Sequence, residues 1–507
     1  MLTNLLANTS FRAFWRRLPI IIIIAGVLTR VAVYYQNRSL FLDEANLARN
    51  FVEKGYLEFF SPLNYEQYSP PLFSWIEKLQ IQLWGVHEYA LRLFPLLCSI
   101  ASLYFLFQLA KQVLKSSFLI VFVLWLIAFS NWFIRYGTEV KQYSSDILLG
   151  ILLPYLALRE KQIPTFWWAL IGIVSTWISM PSVFFLAGIG FYFLWQNARK
   201  NGRWQWTTEL KKWLGVIGVW LISFAVYYFW VLRPNVNSNY LQDYHQHFFL
   251  PLLPTTFTDL VVAKDLMLSI FKTGFGYTVP AYIVGIGGTI AALFFAIRRQ
   301  ISIATTFILF SPILFCLLAS ALHFYSLIPR LTLFFIPALL LWSILGWQLL
   351  IEKITPIFKW IILGLLLLTT SIQDGYQYLF RPYQIEEIKP ILHFLQQQKN
   401  DSDHLYVHHH AVPAFEFYNS QHIDNQHFKF NDNYLAHWKD RPKNYLDKKK
   451  YERTWLLFSH LISQKANDEI GGLLADFKEN ENLRLVKDTI GVKLYLYTKK
   501  PPIQSNE

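Results

Sequence analysis

Cysteine is almost absent: two residues in 507, Cys98 and Cys316, both inside apolar runs. That excludes a disulfide framework and a thiolate metal cluster. Charge is also scarce. Asp, Glu, Lys and Arg make up 16% of the chain and hydrophobic residues 54%, whereas soluble domains carry about 25% charge, so there is too little polar surface to hold the whole chain in water. No internal repeat, glycine-rich phosphate loop or low-complexity tract is visible, and no Ser, His, Asp order stands out as a triad. The formal net charge is +13, but the basic residues sit in short clusters between apolar runs rather than on one face, which argues against nucleic acid as a partner. What the chain has in plenty is aromatic residues, 43 Phe, 28 Tyr and 19 Trp, as suits many helix ends at headgroup depth.

A membrane span needs about 20 mostly apolar residues, and roughly eleven stretches fit: 18–36, 90–111, 117–134, 143–158, 164–180, 182–196, 213–232, 279–297, 303–322, 331–351 and 357–374. Pro181 divides two short runs; one kinked span there would reverse the side of everything that follows. Charge decides between the two. With Arg12, Arg16 and Arg17 cytoplasmic, eleven spans also place Lys111 and Lys115, Arg159 and Lys161, the basic residues of 199–212, Arg298 and Arg299, and Lys353 and Lys359 inside. That is the one-sided bias expected of basic loops. The first apolar run is long and lacks a small-residue cleavage site, so it reads as a span rather than a removable signal.

This topology leaves 37–89, 233–278 and 375–507 outside. The last segment mixes amphipathic helical stretches, 385–399 and 464–477, with strand-like runs, 405–408, 454–459 and 492–498, and is expected to be a small extracytoplasmic α/β domain beside a transmembrane domain of residues 1–374.

Chemistry-bearing residues gather at the outer helix ends. Asp43 and Glu44 follow the first span, and 44–55 has the spacing of a short interfacial helix ended by Gly55. Asp43 could cap that helix, and a carboxylate fixed there could also accept a proton from a nucleophile. The paired Pro70 and Pro71 form an elbow before a second apolar-faced helix, 72–84. Arg92 lies at the outer end of the second span, where it could bind an anion or simply snorkel to headgroups. If the fourth span begins near Thr138, Glu139, Gln142, Tyr143 and Asp146 share one face. Ionisable groups at such depth usually face a cavity or a partner, the bland alternative for Glu139 being an ion pair with Lys141 or Arg135. Arg30 belongs to the same class. His408, His409 and His410 are adjacent; a strand would turn His408 and His410 to one side, and without placed carboxylates such a run reads as surface more readily than as a metal site.

The runs Phe41-Leu42-Asp43-Glu44-Ala45, Tyr68-Ser69-Pro70-Pro71-Leu72-Phe73, Gly85-Val86-His87-Glu88-Tyr89-Ala90-Leu91-Arg92-Leu93 and Glu139-Val140-Lys141-Gln142-Tyr143-Ser144 occur in this order, and Arg330-Leu331-Thr332-Leu333-Phe334-Phe335-Ile336-Pro337 lies at a later span's outer end. Together they resemble glycosyltransferase family 39, membrane glycosyltransferases of the C-type fold such as the protein O-mannosyltransferases and aminoarabinose transferases. The resemblance implies an all-α polytopic enzyme, with Asp43 as the catalytic acidic residue, Glu44 beside it and the Glu139 to Tyr143 stretch lining the same site. It implies a polyprenyl-phosphate sugar donor, a lipid, glycan or protein acceptor, and a multi-pass protein in a bacterial inner membrane. A divalent metal is possible in such a family, but no ligand set carries over onto this chain.

The expected reaction is sugar transfer on the extracytoplasmic side, with Asp43 as general base and Arg92, Lys141 and Arg330 converging on the donor phosphate. A transporter or flippase of lipid-linked sugars is the alternative. Transporters tend to show repeats and midplane polar groups, whereas charge here collects at helix ends.

Overall fold

The computed structural model describes residues 9–200, 203–236, 239–276, 279–352, 385–420, 428, 430, 433–436, 451–461, 464–478 and 483–499. The expected span 357–374, the basic residues Lys353 and Lys359, and the expected domain boundary near 374 lie outside them.

The membrane part is a succession of helices, most of them apolar: α1 (Thr9–Tyr35), α2 (Leu42–Glu53), α3 (Pro71–Trp84), α4 (Glu88–Val113), α5 (Ser117–Ala128), α6 (Asn131–Tyr136), α7 (Tyr143–Ala157), α8 (Thr165–Ile178), α9 (Ser182–Ala198), α10 (Thr208–Tyr227), α11 (Phe257–Phe275), α12 (Val279–Ile297), α13 (Ile303–Ala321), α14 (Pro329–Thr332) and α15 (Ile336–Ile351). Among the described residues, five helical stretches are long and apolar enough to cross a membrane, Arg17–Tyr35, Glu88–Val113, Thr208–Leu232, Val279–Ile297 and Ile303–Ala321, while α5, α7, α8 and α15 are shorter apolar helices. Pro181 does divide two helices, α8 ending at Ile178 and α9 starting at Ser182. Glycine permits close approaches in the bundle: a Cβ on Gly346 would fall 2.1 Å from Gly288 O, and one on Gly288 2.4 Å from Ser343 O. The paired glycines let α12 and α15 touch backbone to backbone.

Three expectations are corrected. The stretch 117–134 is not one helix: α5 stops at Ala128 and α6 restarts at Asn131. Arg30 accounts for the break, since its buried guanidinium donates to Ala128 O at 2.8 Å and Ile127 O at 3.1 Å while Nε reaches Ser99 Oγ at 2.7 Å. It thus satisfies carbonyls that an ended helix would leave bare. Helix α7 begins at Tyr143 with Gln142 as its N-cap, so 137–142 is a compact turn and Glu139 shares no helical face with Asp146. The segment 233–278 contains a 19-residue helix, α11, opened by a reciprocal cap between Thr256 and Asp259, which hydropathy alone did not separate from loop.

Among the described residues the tail forms a five-stranded mixed sheet. Strands β1 (His404–Val407), β2 (Asn433–Leu435), β3 (Arg453–Phe458), β4 (Leu483–Thr489) and β5 (Val492–Thr498) run in the order β2-β1-β3-β5-β4. β1 is parallel to β2 and β3, and β5 is antiparallel to β3 and β4. Side chains alternate between two layers as the strand period demands. Tyr406, Leu456, Phe458 and Tyr497 meet Ile470 and Leu474 of helix α18 (Gln464–Lys478); Leu405, Val407, Trp455, Leu457, Leu494 and Leu496 face the other way. That second layer takes in α16 (Lys389–Gln398) and α17 (Val412–Asn419), and it is continuous with Leu40, Ala45, Leu47, Ala48 and Phe51 around α2. The 37–89 segment and the tail therefore share one apolar core. Polar ties reinforce it: Leu40 N donates to Tyr418 Oη at 2.8 Å, Tyr418 Oη to Glu88 Oε1 at 2.8 Å, and Lys389 Nζ lies 2.7 Å from Glu88 Oε1.

Candidate active site

Helix α2 starts with Phe41 as its N-cap, so Asp43 lies in the first turn rather than at the capping position. The helix dipole favours a carboxylate there. Asp43 is half-buried and makes no hydrogen bond to another described residue. Glu44, one residue on, is the opposite case. Arg92 grips it with two bonds, Nε to Oε1 at 3.1 Å and Nη2 to Oε2 at 2.7 Å, and Val140 N donates to Oε1 at 2.8 Å. Burial pushes the Glu44 carboxyl up, Arg92 pulls it down further, and the net position is below the usual carboxylate range.

The remaining Arg92 bonds go to Arg38 O at 2.7 Å and Ser39 O at 3.3 Å. Both partners are buried, Arg92 at 2% and Glu44 at 1% exposure. A guanidinium whose Nε, Nη1 and Nη2 all donate to protein oxygens has its fork already filled. Arg92 is thus placed as a tie between α4, the 38–39 backbone and α2, not as an open phosphate clamp, and Glu44 as the partner that holds the 137–142 turn.

That turn carries the next group. Arg38 Nη2 donates to Thr138 O at 2.9 Å, and Glu139 Oε1 accepts from Arg135 Nε at 2.5 Å. The ion pair with Arg135 is therefore formed. Burial raises the Glu139 carboxyl above its ordinary value despite Arg135. Its second oxygen Oε2, Gln142 Oε1 and Asp146 Oδ1 are buried acceptors without a hydrogen-bond partner among the described residues. Tyr143 packs edge-on to Tyr136, ring centres 4.8 Å apart.

Two cations answer Asp43. Lys141 Nζ donates to Gln67 Oε1 at 2.8 Å; burial lowers its pKa, Asp43 opposes that, and Arg330 adds to it. Arg330, in the short α14 turn, donates to Tyr244 Oη at 3.0 Å. Burial draws its pKa down, while Tyr143, Tyr244, Tyr136 and Asp43 raise it further, so it stays charged. Asp43, Lys141 and Arg330 are within electrostatic reach of one another although 287 positions, 330 less 43, separate the outermost two. Sequence reasoning missed Arg38, whose hold on the turn has no local signature, and Tyr244, hidden in a segment read only as outer loop.

It also missed a contribution from the tail. The Leu42 backbone N–H lies near enough to the Glu386 carboxyl to lower its pKa, and Glu386 Oε1 lies 2.5 Å from His460 Nδ1. Burial raises the Glu386 carboxyl and His460 opposes this. The tail therefore reaches the backbone beside Asp43. His408, His409 and His410 stand nearby in the tail: β1 stops at Val407, and the three follow as a turn rather than continuing the strand. Burial, then His409 and His410, push His408 down to about 2.

No family profile matches the chain. A protein of Aquifex aeolicus (strain VF5), described as an uncharacterized protein, is 27% identical over 214 residues, 41% of either chain. The chain thus matches less than half the length of that curated relative. Among solved structures it is similar to ArnT from Cupriavidus metallidurans bound to undecaprenyl phosphate, with 13% identity and a TM-score of 0.46 over 94% of this chain and 97% of that one. It is likewise similar to the same protein in the apo state, with 14% identity and a TM-score of 0.46 over the same shares.

Proposed function

We propose that this chain is a membrane glycosyltransferase that takes a sugar from a polyprenyl-phosphate donor on the extracytoplasmic side. The observation that carries the reading is the unengaged Asp43 carboxylate, set in the first turn of α2 and answered by Lys141 and Arg330. A lipid-linked donor must leave its prenyl chain in the bilayer while its sugar phosphate reaches water, and a site at the outer ends of apolar helices meets that need.

In this reading Asp43 accepts the proton of the acceptor hydroxyl as that oxygen attacks the anomeric carbon. The bond from that carbon to the phosphate oxygen breaks, its electrons pass to the phosphate, and Lys141 and Arg330 meet the added charge. Direct displacement inverts the anomeric centre. Glu139 Oε2, Gln142 Oε1 and Asp146 Oδ1 offer acceptors to sugar hydroxyls. Glu44 and Arg92 hold the frame without touching substrate.

The test is transfer of label from a polyprenyl-phosphate sugar by the purified protein in detergent, beside a soluble nucleotide sugar. Transfer from the lipid-linked donor alone is expected. Transfer from the nucleotide sugar without lipid would overturn the donor assignment.

A further inference from the structure

We propose that His408, His409 and His410 form a binding site for a divalent transition metal of the zinc class. The three follow the C-terminal end of β1, and the turn there gathers side chains that a continued strand would have sent to opposite faces. Their ring centres are 4.1 Å apart for His408 and His409, 4.1 Å for His409 and His410, and 5.2 Å for His408 and His410. One nitrogen from each ring lies within 4.8 Å of the others.

Zinc binds imidazole nitrogen at about 2.0–2.1 Å, so tetrahedral ligands stand roughly 3.3 Å from one another. The triad must contract by about an ångström and a half, which rotation of imidazoles about χ1 and χ2 supplies without moving the backbone. Three imidazoles with no thiolate or carboxylate among them suit zinc, copper or nickel far better than magnesium or calcium.

The surroundings resemble the outer shell of a histidine metal site. His460 places its ring 5.6 Å from that of His410, and Glu386 holds its Nδ1. Carboxylate backing of this kind orients a histidine toward a metal through the other nitrogen. His460 adopts a left-handed backbone, φ 64°, a conformation that histidine enters more readily than most side chains but that still has a cost. Ser459 Oγ donates to His410 O at 3.1 Å and lies 3.4 Å from Glu386 Oε2. A metal on the triad would therefore stiffen the path from β1 through Ser459 and Glu386 to Leu42, beside Asp43. The site does not depend on the reaction proposed above.

The test uses the full-length protein in detergent, purified on a tag without histidine, stripped with chelator and given zinc ions alone. The wild type should retain one zinc per chain through gel filtration, and His409→Ala and His410→Ala should each weaken zinc about tenfold or more. His409→Asn and His410→Asn repeat the comparison with a polar side chain of similar reach. Metal-free variants and metal-free wild type should unfold at the same temperature, which separates loss of a ligand from loss of the fold. Retention of no more zinc by the wild type than by a variant with all three histidines changed to Asn would overturn the site. Undiminished affinity in the Asn variants would do the same.

Discussion

At the scale of single residues, adjacent carboxylates have opposite fates. Asp43 is left unbonded, whereas Glu44 carries two bonds from Arg92 and one from Val140. Removing one partner from a buried, hydrogen-bonded ion pair typically costs about 3–5 kcal/mol, because the other charge is left uncompensated. Glu44→Gln should therefore lower thermal stability in detergent and leave turnover per folded molecule close to wild type. Lost turnover at full stability would return Glu44 to the chemistry. Lys141 gives a prediction in pH. Burial lowers its pKa, so it surrenders its proton below the usual value of about 10.4, and a phosphate-binding cation is lost there. Donor turnover should fall on the alkaline side below that pH, and Lys141→Arg should move the fall upward because guanidinium keeps its proton to above about 12. An alkaline limb unchanged by Lys141→Arg would remove Lys141 from the donor site.

At the scale of elements, most helices were legible because an apolar run and its flanking breakers are local signals. Helix α3 matches its reading nearly to the residue, starting at Pro71 and ending at Gly85, whose φ of 91° suits glycine. The turn 137–142 was not legible. Its stripe of Glu139, Gln142, Tyr143 and Asp146 satisfies helical spacing, yet Arg38 and Glu44, about a hundred positions earlier, take the Thr138 carbonyl and the Val140 amide that a helix would use. The capping role of Asp43 failed for a nearer reason, since the helix starts two residues sooner than Asp43 would require. Strand β4 was missed because neither of its faces is fully buried and its polar and apolar residues alternate poorly. The glycine contact between α12 and α15 was likewise invisible, since it depends on which helices pair. Gly346→Leu should force those helices apart at a cost of at least about 1–3 kcal/mol. Thermal unfolding would register this, and an unchanged transition would contradict the packing.

At the scale of the whole molecule, the 37–89 segment and the tail form one core, so the candidate site is assembled from residues far apart in the chain. Asp43 rides on α2, Lys141 on the 137–142 turn, Arg330 on α14, and Glu386 reaches the α2 start from the tail. This requires the tail to share the outer loop's side of the membrane, as the one-sided basic clusters independently suggest. A reporter active only in the cytoplasm, fused after Lys499, should stay silent; activity there would reverse the topology. The proposed chemistry rests on Asp43. The direct measurement is the rate of sugar transfer by Asp43→Asn beside wild type, with donor binding and thermal stability measured on the same samples. A loss of about 10² to 10⁴-fold in turnover, with donor binding and stability retained, is the result expected for removal of a general base. Wild-type turnover in Asp43→Asn, or loss traceable entirely to misfolding, would contradict it.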